Sequence, residues 1–290
     1  MFMRHRLAYA VGFAFVALMA AGQPAHAQRM PDMVTLDRGD GISRVGLDFA
    51  VGFAEDDVLI VQDGAAAVLD AALRFEVFGQ YVSRGGFGVY GALPISHLLS
   101  DGDDEAAIGN VDVGGLFVQQ RRTHSFVFRA GLALPTAADD LDGFLTNVIA
   151  GATRLTDLAL VAPDTTYLRL SFSPLYHANQ VFLRLDLGAD VVVNDDDDSV
   201  IDPPTIFRAN LGGGFDLGAV ALMAELVNLA SSESFDDDGE DDEDFLHTFA
   251  LSARFMGGDL QPYLSFGVPL DDAIDGIIDF FVGAGLQLAY

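Results

Sequence analysis

Apolar residues recur at every second position along most of this chain. The last stretch, residues 277–290, shows the pattern plainly. Ile278, Phe280, Val282, Ala284, Leu286, Leu288 and Tyr290 are apolar, while Asp279, Gly283, Gly285, Gln287 and Ala289 between them are small or polar, with Phe281 the exception. This is the period of a β-strand with two unlike faces. The same alternation runs through 42–54, 71–82, 87–93, 111–119, 126–134, 167–173, 181–193, 206–215, 220–228, 245–255 and 260–268. It is clearest in 181–193, where Val181, Leu183, Leu185, Leu187, Val191 and Val193 stand opposite Arg184, Asp186 and Asp190. About twelve strands result, and no helical period competes with them.

The connections fall into two kinds that alternate along the chain. Short ones occupy 83–86, 120–123, 174–180, 216–218 and 257–259, and long ones 55–70, 94–110, 135–165, 194–205, 230–244 and 269–276. Short periplasmic turns and long outer loops characterise even-stranded bacterial barrels. The pattern therefore predicts an all-β fold: a transmembrane, antiparallel, up-and-down β-barrel of about twelve strands over residues 42–290. Its expected partners are outer-membrane lipids and lipopolysaccharide. The barrel assembly machinery would engage the C-terminal strand 277–290, which ends on an aromatic residue as closing strands of such barrels do.

The first residues fit that destination. Arg4 and Arg6 precede an apolar run from Leu7 to Ala21, and Pro24-Ala25-His26-Ala27 offers a small-x-small cleavage site. This reads as a cleaved signal peptide over 1–27, too short to be a spanning helix. Residues 28–41 are polar and turn-rich and read as a periplasmic tail. With no Cys there is no disulfide frame and no lipoprotein attachment. The chain without residues 1–27 carries thirteen Arg, no Lys and forty-three acidic residues, a net charge of −30. Such a charge repels nucleic acid. The acids gather in the long connections and Arg84, Arg121 and Arg122 in two short ones.

If the apolar faces meet lipid, their alternates face the lumen. That inward set holds Arg44, Arg74, Arg129, Arg169, Arg184, Arg208 and Arg254, with Asp48, Glu76, Asp112, Asp186, Asp190, Asp216, Glu225 and Asp279. Near-cancelling charges at membrane depth make sense inside a barrel and are costly against lipid. Two readings of them stay open. In one, they form a salt-bridged plug. In the other, Arg129, Arg169, Arg184 and Arg208 line a constriction near mid-height opposite Asp186, Asp190 and Glu225, a mixed field of the kind that sets selectivity in pores. Passive passage of small solutes follows from the second reading. A closed structural or surface-interaction barrel, with acidic loops as its working part, follows from the first.

Three other features bear on function. Within 135–165, the apolar residues Leu141, Leu145, Val148, Ile149, Ala152, Leu155 and Leu158 fall at roughly helical spacing. A helix there folds into the mouth as a lid or constriction, or else the stretch forms a cap or a further strand pair. The acidic runs around Asp195, Asp196, Asp236 and Asp238 are weak candidates for loose divalent-cation binding, because the EF-hand template fails on them. No cofactor is called for. His97, His124, His177 and His247 have no Ser or carboxylate at triad spacing, so no enzyme is expected.

One local stretch carries a family likeness. Gly109-Asn110-Val111-Asp112-Val113-Gly114-Gly115, followed by the hairpin strand 126–134 and Pro135-Thr136, resembles the transporter-like and MetA-pathway (phenol degradation) outer-membrane proteins. Asn110 stands where that group would have a contiguous Gly-Asp pair. The resemblance implies passage of small, often hydrophobic molecules.

Overall fold

The computed structural model describes residues 33–36, 41–54, 58–62, 65–100, 105–194, 204–232, 245–271, 274 and 276–290. The strands are β1 (Arg44–Ala54), β2 (Leu59–Gln62), β3 (Ala65–Val82), β4 (Phe87–Ser100), β5 (Glu105–Ile108), β6 (Val111–Gln120), β7 (His124–Leu134), β8 (Thr166–Ala178), β9 (Val181–Asn194), β10 (Ile206–Asp216), β11 (Val220–Ser231), β12 (Phe245–Phe255), β13 (Leu260–Pro269) and β14 (Ile278–Ala289). Helix α1 (Leu141–Gly151) runs directly into a 3-10 segment, Ala152–Leu160.

Twelve of these strands close an antiparallel ring. β1 pairs with β3 on one side and β14 on the other, so the ring has no free edge. Closure lets every wall N–H and C=O find a partner without water. The two remaining strands extend the wall at the long-loop end. β2 pairs with the start of β3. β5 continues β6 past a bulge: Ala92 of β4 faces Asp112, Ile95 faces Ile108, and the register slips by one residue at Gly109-Asn110.

The two faces of the wall are as unlike as the sequence pattern requires. On β9, Leu183, Leu185 and Leu187 are 52%, 38% and 39% exposed, while Arg184, Asp186 and Asp190 are at most 2% exposed. Leu211, Leu222, Leu251, Leu264, Phe266 and Leu286 extend the apolar band around the barrel. A greasy exterior over a charged interior is stable in hydrocarbon and unstable in water. This is an outer-membrane β-barrel, and the wall belongs in that membrane.

Five expectations need correction. The stretch 55–70, read as a long loop, holds β2 and the first residues of β3. The stretch 94–110 is not a long loop, because β4 runs to Ser100 and β5 begins at Glu105. Alternation is blurred there, since the inward Leu98 is apolar and joins a cluster with Leu69, Ala72, Ile149 and Ala150 beneath α1. The stretch 174–180 is mostly strand, and the turn proper is Asn179-Gln180, with Asn179 at φ 55°. In β14 a register shift puts Ile278 inward and fully buried and leaves Asp279 exposed, the reverse of the period-two reading. Residues 33–36, read as part of a periplasmic tail, are buried inside the barrel against β11. The signal segment 1–27 and the acidic runs holding Asp195, Asp196, Asp236 and Asp238 lie outside the described residues.

Candidate lumen site

The inward side chains of β7 to β11 form rows across the wall. From the long-loop end, the first row is Gly131, Arg169, Asp190 and Ile206. The next is Arg129, Ser171, Gly188 and Arg208. Further down, Asp186 sits beside Asn210, and the row below that is Leu175, Arg184, Gly212 and Glu225. Glycine at 188 has a direct use. A Cβ there would lie 2.6 Å from Arg208 Nη2, so the guanidinium lies across the bare backbone.

The first two rows meet a part of the chain that is not wall. Within 135–165, residues 135–141 stay largely exposed and 143–162 fold into the barrel. Asp140 caps α1 by accepting from Gly143 N at 2.7 Å. Helical backbone then breaks at Arg154 and again at Asp157, both of which turn charged side chains toward the wall. Asp157 receives three guanidinium groups: Arg74 at 2.6 Å, Arg154 at 2.8 Å and Arg169 at 3.5 Å. Arg169 also reaches Asp112 at 2.7 Å and Asp190 at 3.3 Å, and donates to Thr156 O at 2.7 Å. Arg208 shares Asp190 at 3.2 Å and donates to Thr156 O at 2.9 Å. Arg74 is bonded to Glu76, and Arg154 lies 3.8 Å from Asp48. Wall and insert thus neutralise one another through hydrogen-bonded ion pairs, which lets these charges stay buried.

A second insert enters beside the first. Met33, Val34, Thr35 and Leu36 are all buried. Glu225 accepts from Val34 N at 3.0 Å, Thr35 N at 2.7 Å, Thr35 Oγ1 at 2.7 Å and Leu36 N at 3.1 Å. On the other side of the segment, Arg154 donates to Val34 O and Leu36 O, and Thr156 Oγ1 donates to Thr35 O at 2.8 Å.

The seven lumen residues singled out from sequence therefore do not share one ring. Arg169, Arg208 and Asp190 come together, around the 3-10 insert. Arg184 and Asp186 lie 3.6 Å apart lower down, both touching Ser173. Glu225 instead holds residues 34–36. Arg129 is half-buried and stacks over Tyr90, 3.8 Å from the ring centre. With Glu76, Gln80, Asp112, Arg154 and Asp157, Arg129 and Tyr90 line a narrow space left beside the insert.

Arg154, Thr156, Asp157, Thr35 and Asn110 were not legible as site residues. Asn110, fully buried in the β5–β6 bulge, holds both stems of the insert. Its Oδ1 accepts from Thr136 N and Ala137 N, each at 2.9 Å. Its Nδ2 donates to Ala159 O at 3.3 Å and Ala162 O at 2.6 Å, and its backbone N to Leu160 O at 2.7 Å. One signal was available: Arg154 is the sole base in residues 135–165 and sits three positions before Asp157. Among the described residues, no group of three or more metal-ligating side chains occurs.

No family model matches the chain, and no curated protein matches it in sequence. Solved structures do. An outer-membrane channel of Pseudomonas putida F1 superposes with a TM-score of 0.60 at 13% identity, covering 93% of this chain and 100% of that one. The NanC porin gives 0.49 at 8% identity over 83% of this chain and 98% of that one, and the KdgM porin 0.47 at 9% over 85% and 99%. At such identities the first likeness speaks for the fold.

Proposed function

We propose that the protein is an outer-membrane channel for passive passage of small polar solutes, held shut at rest by two segments of its own chain. The observation that carries this reading is how the lumen is filled. A twelve-stranded ring is too wide for inward side chains alone to close. Here the space is taken by residues 33–36 and 152–160. Met33, Val34, Leu36, Ala152 and Leu155 share an apolar cluster, but the main chain of 34–36 and the charged groups of 152–160 are held by hydrogen bonds and ion pairs. Water can replace contacts of that kind. A permanent stopper of the same volume would be made more stable by apolar packing.

Short turns and both chain ends belong on the periplasmic side in this reading, and the long loops face outward. Residues 1–27 act as the signal peptide. Strand 277–290 is the contact for the assembly machinery, and the acidic loops face lipopolysaccharide. The route left for solutes runs past Arg129, Tyr90, Glu76, Gln80 and Asp112, a polar lining with both signs of charge. The likeness of residues 109–115 to transporter-like barrels points to the same broad role, while this polar lining favours polar solutes over hydrophobic ones. No part of the reading needs an enzymatic step.

The filled lumen also favours a second reading, a closed barrel whose work is done by its outer loops. Planar-bilayer recording separates the two. The channel reading expects low, intermittent conductance from the full chain and a large increase when residues 28–38 are removed. A barrel that stays silent in both forms, though folded, refutes passage and leaves the structural role.

A further inference from the structure

The contacts around residues 33–36 have an unusual division of labour. Every backbone N–H from Val34 to Leu36 donates to one carboxylate, Glu225. Every backbone C=O from Val34 to Leu36 accepts from a side chain of the 3-10 insert, Arg154 or Thr156. No strand or helix ladder takes part. Two apolar side chains complete the fit. Met33 and Leu36 lie over Gly212, where a Cβ would come within 2.8 Å of Met33 Cε and 3.2 Å of Leu36 Cδ1. They belong to one buried cluster with Phe182, Met223 and Tyr263. Thr35 between them adds a hydroxyl to Glu225.

We infer that the groove between Glu225 on β11 and Arg154–Thr156 is a binding site for extended peptide main chain. Residues 33–36 are its built-in occupant, standing where a short peptide solute would lie. The inference rests on the channel reading and gives it a substrate class: short peptides with apolar side chains at the first and fourth positions of the bound stretch and a small hydroxyl at the third. The physical reason lies in what departure of the segment leaves behind. Glu225 is 1% exposed, and its four bonds from the segment leave Ser252 Oγ, at 3.3 Å, as its other donor among the described residues. Arg154 and Thr156 lose their carbonyl partners at the same time. A buried carboxylate facing buried donors binds strongly to anything that restores the pattern, and peptide main chain restores all of it. Converging N–H groups on a carboxylate are a recurrent way to capture an anion on backbone, used here with the roles of host and guest exchanged.

The test uses a barrel lacking residues 28–38 and a fluorescein-labelled peptide spanning residues 31–38, with binding read by anisotropy in detergent. Saturable binding to the shortened barrel is expected, with none to the full chain, whose site is filled. N-methylation of the peptide at the positions of Val34, Thr35 and Leu36 keeps its side chains and removes its donors, and should abolish binding. Glu225→Gln in the shortened barrel should weaken binding about tenfold or more, with folding verified by heat-modifiable gel migration. If the deletion fails to fold, full-length Met33→Asp/Leu36→Asp expels the segment instead and takes its place in the assay. Equal binding by the full chain, or by the N-methylated peptide, overturns the inference. Conductance of the same shortened barrel is scored separately. A conducting barrel that ignores the peptide refutes the peptide site alone, and a silent one refutes the channel.

Discussion

The two faces of β9 obey different rules. Outward, Leu183, Leu185 and Leu187 need a single thing, an apolar medium, and their neighbours hardly matter. Inward, Asp190 binds Arg169 on β8 and Arg208 on β10, and Arg169 in turn reaches Asp112 on β6 and Asp157 of the insert. An outward residue is explained by its solvent. An inward residue is explained by whatever chain stands across the lumen, which can be far away in sequence.

The sharpest way to break that contrast is to exchange the two chemistries at adjacent positions. Leu185→Arg should cost roughly 2–4 kcal/mol at the bilayer midplane, enough to lower the yield of assembled, heat-modifiable barrel. Arg184→Leu, one residue away, should still insert. Equal tolerance at the two positions means that the register is off by one residue.

Next in size is the insert. Asp157→Asn removes a charge shared by Arg74, Arg154 and Arg169. About 1.5–3 kcal/mol should be lost, the scale of hydrogen bonds to charged groups. Urea unfolding in detergent should show the loss, and bilayer recording should show more frequent openings as the 3-10 segment loosens. Unchanged opening statistics in a destabilised barrel would show that the segment braces the wall without closing the lumen.

Asn110→Ala comes third. It deletes side-chain bonds that hold Thr136, Ala137, Ala159 and Ala162, at both stems of the insert. A cost of about 1–2 kcal/mol is expected, within the range for unsatisfied buried groups. Amide hydrogen exchange should speed up in 136–162 before it does in β9 or β10. Uniform protection across these regions would show that Asn110 is not what holds the stems of the insert.

The same contrast explains what the sequence made legible. Period-two patterning identified the strands because the lipid-facing residue needs no partner. It went astray where an inward position is apolar. Leu98 packs under α1, so β4 looked like loop past Leu93, and Ile278 packs inward beside a bulge, so the facing of Asp279 came out reversed. It had no means of placing Val34 against Glu225, because that pair is 191 residues apart and is joined through backbone N–H, which has no sequence signature. Helical spacing did mark the start of the insert: 141–151 is α1. The break at Arg154 and Asp157 is dictated by arginines and carboxylates on the wall, so local propensity was silent about it.

The prediction at Arg129 separates the two lumen readings most cleanly. Arg129 is the half-buried member of the lumen arginines, and its guanidinium lies over the Tyr90 ring beside the narrow polar space. A cation–π contact at such a site contributes about 0.5–1 kcal/mol. Arg129→Gln gives up that small contribution. A fixed positive charge is also lost from the lining of the proposed route, where screening by salt is poor. Reversal potentials measured across a KCl gradient should shift toward cation preference, in the full chain and in the barrel lacking residues 28–38. If selectivity stays put in both backgrounds while conductance is normal, solutes do not pass Arg129, and the route lies on the β11 side that residues 33–36 vacate.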